Sequence, residues 1–146
     1  MSSDARPVTI FIAEDNPILL QGLDRALSAN GYNVETAPDG ASILERLSAA
    51  TTPPDLLLLD VMMPGMSGLE VAEAVHNDPR LADMPVMLIT AAIGDQSPTP
   101  LPEAGDMEVL IKPFRLHDLL TKIEMHVERQ RSGGGLSAST PGSLAS

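Results

Sequence analysis

The stretch LLLLDVMMPGMSGLE, Leu56 to Glu70, decides how this chain folds. Four leucines run without interruption into Asp60, and Met-Met-Pro-Gly follows at once. A strand with one wet face alternates polar and apolar residues. A continuous apolar run fits a strand covered on both faces, as in a parallel sheet flanked by helices. A solubilising charge needs no such mount, so Asp60 is expected to have partners elsewhere in the chain.

Outward from this strand, short β-like runs alternate with amphipathic helical stretches, the pattern of a doubly wound α/β domain with a five-stranded parallel sheet. Val8 to Ala13 reads as the first strand. Asn16-Pro17 is a cap and first-turn signal for a helix with Leu20, Leu23 and Leu27 on one face, closed by Asn30-Gly31. Tyr32 to Ala37 is expected as a strand, and Asp39 to about Ala50 as a helix with Ile43, Leu44 and Leu47 inward. After a turn at Thr51-Thr-Pro-Pro54 comes the strand Asp55 to Asp60. Ser67 caps a third helix that ends near Asn77-Asp-Pro79. Val86 to Thr90 and Glu108 to Ile111 read as the fourth and fifth strands. A last helix from about Leu116 to Arg131 carries Leu116, Leu120, Ile123 and Val127 on one stripe.

Two segments break the pattern. Gly94 to Gly105 places Pro98, Pro100 and Pro102 at alternate positions, which the interior of a helix does not tolerate. An irregular segment is expected there in place of a fourth helix. The run SGGGLSASTPGSLAS from Ser132 is Gly/Ser-rich and reads as a disordered tail. The expected organisation is therefore a flexible N-terminus over residues 1–7, one domain over 8–131 and a disordered tail over 132–146.

Composition narrows the function. Of the 146 residues 43% are hydrophobic but only 2% aromatic, so the core must be aliphatic with help from eight methionines. With no cysteine, disulfides, thiolate metal sites and thiol catalysis are excluded. A formal net charge of −11 argues against direct binding of nucleic acid or an anionic membrane through a broad basic surface. No apolar run approaches a membrane span, and Met1-Ser-Ser-Asp is no signal peptide, so a cytoplasmic domain is expected, with a monomer its simplest state.

In such a sheet, ligands bind outside the carboxyl ends of the strands where strand order reverses. The first strand runs into Glu14-Asp15, the third ends in Asp60, the fourth in Thr90 and the fifth in Lys112-Pro113. Three carboxylates, a hydroxyl and an ammonium would converge on one edge. Crowded carboxylates repel one another unless a divalent cation is present, and all-oxygen ligation suits magnesium. Asp60 could then attack phosphorus as a nucleophile, with Lys112 and Thr90 neutralising and hydrogen-bonding the remaining oxygens. The Lys112-Pro113 bond is a candidate for the cis form, which a prolyl bond makes accessible.

The ordered set Glu14-Asp15, Asp60, Thr90 and Lys112-Pro113, with successive intervals of 45, 30 and 22 residues between Asp15, Asp60, Thr90 and Lys112, resembles the receiver domain of two-component response regulators. The loop from Asp60 through Pro64 to Gly68 resembles that family's loop after its phosphoacceptor. The likeness covers about Val8 to Arg131. It implies a flavodoxin-like receiver fold of the stand-alone, single-domain type, with Asp60 taking phosphate from a histidine kinase or histidine phosphotransfer protein. It implies magnesium ligation by Glu14, Asp15 and Asp60 with the backbone carbonyl of Met62, and phosphoryl contacts from Thr90 and Lys112. Output would pass to a downstream protein target. In the family an aromatic residue stands three positions before the lysine; here it is Val109.

Plainer readings compete. Alone, Asp60 would read as a strand-end aspartate capping a turn, and Glu14-Asp15 as a solvated loop pair. His76, His117 and His126 read as exposed helix residues, and Met62, Met63 and Met66 as loop packing. The replacement of the aromatic by Val109 motivates an alternative, a receiver-fold docking module that works without phosphorylation. A magnesium-dependent phosphatase acting on small molecules fits poorly, because that chemistry uses a second aspartate two residues after the nucleophile and Met62 stands there. The expectation is a phosphoacceptor signalling protein whose only chemistry is its own phosphorylation and dephosphorylation.

Overall fold

The computed structural model describes residues 7–91 and 107–136, with side chains as far as 128. Strands β1 (Thr9–Ala13), β2 (Asn33–Ala37), β3 (Leu56–Asp60), β4 (Val86–Ala91) and β5 (Glu108–Lys112) form one sheet. All neighbours pair in parallel, in the order β2-β1-β3-β4-β5. Helices α1 (Pro17–Ala29), α2 (Gly40–Ala49), α3 (Gly68–His76) and α4 (Leu116–Leu136) flank it. The expected Gly94–Gly105 irregularity, most of residues 1–7 and the far end of the tail lie outside the described residues.

The leucine run behaves as a doubly covered strand must. Successive side chains on a strand point to opposite faces, so Leu57 and Leu59 enter one core cluster while Leu56 and Leu58 enter the other. The first cluster joins them to Ile43 and Leu47 of α2 and Val71 and Val75 of α3. The second joins them to Leu23 and Leu27 of α1 and Leu119 and Ile123 of α4. All four leucines have no exposed surface. At about 1.5–3 kcal/mol for each fully buried side chain, β3 is the most firmly held strand.

Local signals set the helix ends. The Asn16 side chain accepts from the N–H groups of Ile18 (3.0 Å) and Leu19 (3.2 Å), with Pro17 as the first helical residue. Asp39 caps α2 through the Ser42 N–H at 2.8 Å. Ser67 and Glu70 form a reciprocal capping box at the start of α3. The last carbonyls of α2 find a partner far along the chain. The Arg80 guanidinium donates to the Leu47 carbonyl through Nη2 (2.8 Å) and Nη1 (3.2 Å), and to the Ala50 carbonyl. Those carbonyls have no partner within the helix, and a cation there also suits the helix dipole.

Three expectations need correction. The final helix continues to Leu136, so Ser132 to Leu136 is helical rather than part of a disordered tail. The buried stripe of α4 is Leu119, Ile123 and Val127, whereas Leu116 is 44% exposed. Leu116 is the first residue of the helix, and the face toward the sheet is centred three residues on. His126 is half-buried, not exposed, with Nε2 3.8 Å from Glu108 Oε1. Leu20 and Leu44 pack against the two clusters on the helix faces expected of them.

Candidate phosphoacceptor site

Strand register builds the site. Ala13 of β1 pairs with Leu59 of β3, so the next residue on each strand, Glu14 and Asp60, emerge side by side. This is where strand order reverses, the position a doubly wound sheet offers to a ligand. The Glu14 N–H donates to the Ala37 carbonyl at 3.1 Å, which extends the ladder by one residue and fixes the backbone that presents the carboxylate. Asp60 pairs with Ile89, Thr90 with Ile111 and Ala91 with Lys112, so Thr90 and Lys112 reach the same edge from the other side. The Lys112–Pro113 peptide is cis.

The side chains of Glu14, Asp15 and Asp60 each offer a carboxylate oxygen within 4.8 Å of the others. Glu14 and Asp60 are 1% and 2% exposed, while Asp15 is exposed. Lys112 Nζ lies 3.1 Å from Asp60 Oδ2 and 3.3 Å from Glu14 Oε1. The remaining oxygens are held by backbone: the Met62 N–H donates to Asp60 Oδ1 at 2.9 Å, and the Asn16 N–H to Glu14 Oε2 at 3.0 Å. Asp60 thus also makes the turn contact its plainer reading required. Among the described residues Glu14 Oε1 accepts no hydrogen bond, and Lys112 meets it as an ion-pair contact.

The electrostatics follow from crowding. Burial, reinforced by the neighbouring Asp60, raises the Glu14 carboxyl to about 7, against the pull of the Asn16 N–H and Lys112. Burial works against the charge on Lys112, yet its hydrogen bond to Asp60 and the two carboxylate charges hold its pKa above the ordinary lysine value.

Thr90 stands at the carboxyl end of β4, half-buried, with its hydroxyl donating a long 3.5 Å hydrogen bond to the Ala91 carbonyl. Met62 is 64% exposed at the mouth of the site, while Met63 is buried and Met66 packs at the margin of the core. Val109 packs half-buried against the α2–α3 cluster. Sequence reasoning assigned Asn16 to helix capping and missed its hold on Glu14. The two-residue spacing of a carboxylate and a following turn N–H was the available signal.

A family model described as the response regulator receiver domain matches residues 10–124. The chain belongs to that family. Receivers are phosphoacceptor signalling domains of two-component systems, bind magnesium at an acidic pocket, and interact with histidine kinases or phosphotransfer proteins. This receiver is 32% identical over 127 residues to a Mycobacterium tuberculosis protein named "Probable transcriptional regulatory protein TcrX", covering 87% of this chain and 53% of TcrX. It is 36% identical over 123 residues to the response regulator MprA of Mycobacterium sp. (strain KMS), covering 84% of this chain and 52% of MprA. The chain spans about half the length of the curated relatives it matches. Among solved structures, the chemotaxis protein CheY4 of Vibrio cholerae is similar at 28% identity and a TM-score of 0.73, over 82% of this chain and 98% of that one. The response regulator TrrA of Thermotoga maritima, in complex with Mg(2+)-BeF, is similar at 28% identity and a TM-score of 0.69, over 82% and 98%. Among the described residues, no helix is long and apolar enough to cross a membrane.

Proposed function

We propose that Asp60 accepts a phosphoryl group from a phosphohistidine donor, a histidine kinase or a histidine phosphotransfer protein, and that the modified receiver changes its binding of a downstream protein target. The observation that carries this reading is the buried Asp60 carboxylate, paired with Lys112 at 3.1 Å beside Glu14 and Asp15. The donor set fits magnesium: three hard carboxylate oxygens close together, one of them a buried Glu14 oxygen with no hydrogen-bond donor among the described residues. Glu14, Asp15, Asp60 and the Met62 backbone carbonyl are the residues that would hold the ion. When bound, magnesium supplies positive charge to the phosphoryl oxygens.

The chain's own residues do the rest. One Asp60 oxygen forms the new P–O bond as the donor's P–N bond breaks, and the imidazole leaves with the electron pair. The Met62 N–H and Lys112 restrict the carboxylate to one orientation, which lowers the entropy cost of attack. Lys112 then offsets charge on the transferred group, and the Thr90 hydroxyl on the same edge is a neutral donor for one of its oxygens. Phosphorylation biases a two-state equilibrium of the domain toward the form that the partner selects. The receiver's only catalysis is on itself, in taking the group and losing it to water.

Intact mass after incubation with magnesium and acetyl phosphate tests the reading. A phosphoryl adduct on the native chain and none on Asp60→Asn is the expected result. An adduct on both proteins, or magnesium binding with no adduct from either acetyl phosphate or a phosphorylated histidine donor, would overturn it.

A further inference from the structure

Gly68 opens α3 directly behind the phosphoacceptor, and the main chain of Asp60 occupies the space its side chain would need. A Cβ at this position would stand 2.4 Å from the Asp60 carbonyl oxygen, 2.9 Å from the Asp60 carbonyl carbon and 3.0 Å from Val61 Cα. All three neighbours are backbone atoms, which cannot rotate away as the end of a side chain can. The same backbone is tied from both sides. The Val61 N–H donates to the Ile89 carbonyl of β4 at 2.8 Å, and the Gly68 N–H donates to the Val61 carbonyl at 3.1 Å. The start of α3 has no slack either, because Ser67 and Glu70 close it with their capping box.

We propose that Gly68 is a positioning residue for phosphoryl transfer: the absence of its Cβ seats α3 against the Asp60–Val61 peptide and so fixes the Asp60 carboxylate relative to Glu14 and Lys112. This rests on the reading of Asp60 as phosphoacceptor. Bringing a contact of 2.4 Å out to ordinary van der Waals distance moves the peptide or the helix by on the order of 1 Å. Asp60 sits at the end of its strand, so its side chain takes up that movement. Glu14 and Lys112 belong to β1 and β5 and do not follow. Displacements of this size cost about 10²-fold where reacting groups must be aligned.

Gly40 supplies the control. A Cβ there would lie 2.8 Å from Val71 Cγ2 and 2.9 Å from the Met66 carbonyl oxygen, crowding α2 against α3 and the loop before it without touching Asp60. The experiment compares the native chain, Gly68→Ala and Gly40→Ala. Urea midpoints report stability, calorimetric titration with magnesium alone reports affinity, and adduct formation at varied acetyl phosphate separates the maximal rate from the half-saturating donor concentration. For Gly68→Ala, magnesium affinity and maximal rate fall about tenfold or more while the half-saturating donor concentration stays near native. Gly40→Ala loses stability and keeps both. Native affinity and rate in folded Gly68→Ala would overturn the proposal, as would an equal loss in Gly40→Ala, which would mark a general loosening.

Should Gly68→Ala fail to fold, Ser67→Ala decides. It frees the first turn of α3 without adding an atom against Asp60, and a severalfold loss of magnesium affinity is expected; native affinity overturns the proposal. If the native chain itself takes no phosphoryl group, the reading of Asp60 fails, and the magnesium titrations still test what Gly68 does to the carboxylates.

Discussion

Lys112 Nζ stands 3.1 Å from Asp60 Oδ2, joining the end of the edge strand β5 to the end of the central strand β3 across the whole of β4. The Asp60 carboxylate is almost fully buried and the lysine about one-quarter exposed, so the pair sits where solvent screens it only in part. Glu14 shares the same ammonium at 3.3 Å.

Lys112→Met leaves two buried carboxylates without their cation. Metal-free stability is expected to fall by about 2–3 kcal/mol, below the full cost of breaking a deeply buried pair because the lysine is partly exposed. Magnesium binding tightens, since a competing positive charge is gone, while adduct formation slows by about tenfold or more. Urea titration, calorimetry and intact mass on one preparation read all three. Weaker magnesium binding would refute the electrostatic account.

Glu14 gives the metal-free protein a distinctive pH profile. Burial pushes its carboxyl up to about 7 in the folded chain from an ordinary value of 4.5. Between those values the folded state keeps a proton that the unfolded state releases, so this contribution is complete below about pH 4.5 and lost as pH rises through 7. The melting temperature of metal-free protein, less that of Glu14→Gln, should decline over this window. Saturating magnesium, which selects the ionised carboxylate, should remove the decline. A difference that rises with pH would contradict the cause given for the shift.

Arg80→Ala removes the donors that close the end of α2 at the Leu47 and Ala50 carbonyls. A loss of about 1.5–3 kcal/mol in urea unfolding is expected, the usual scale for hydrogen bonds from a charged donor. Magnesium affinity should not change, because the contact lies at the end of α2, away from the carboxyl edge of the sheet. Arg80→Lys should recover only part of the loss, since an ammonium cannot reproduce the guanidinium fork.

Met62 stands exposed over the site without a charged or hydrogen-bonding tip to orient water. The aspartyl phosphate should therefore be slow to hydrolyse, and Met62→Asn should shorten its half-life severalfold. The decay of the adduct after removal of donor measures it. Equal half-lives would leave the exposed thioether irrelevant to hydrolysis.

Much of this is legible in the sequence. The leucine run reads as a doubly covered strand, and the structure sends its residues alternately into the two core clusters. Asn16, Asp39 and Ser67 announced the helix starts because a cap is a local hydrogen bond. The convergence of Glu14, Asp60 and Lys112 followed from their places at strand ends. What escaped were relations set by packing rather than by local chemistry. Leu119 displaces Leu116 from the buried stripe because the sheet, not the heptad-like spacing, chooses the face. Arg80 reaches the end of α2 from 30 residues away along the chain, a distance no periodicity encodes. The helical course of glycine-rich Ser132 to Leu136 runs against glycine's low helix propensity, and nothing in that local sequence announces it.

The site's three charged corners enter the chain at very different times during synthesis. Glu14 and Asp60 are translated early and meet as soon as β1 and β3 pair, whereas Lys112 arrives only with the last strand. Until β5 docks, the nascent domain carries neighbouring acids with no ammonium between them. In the finished sheet Lys112 lies against both carboxylates, so the last strand to be made also brings the cation that offsets their repulsion.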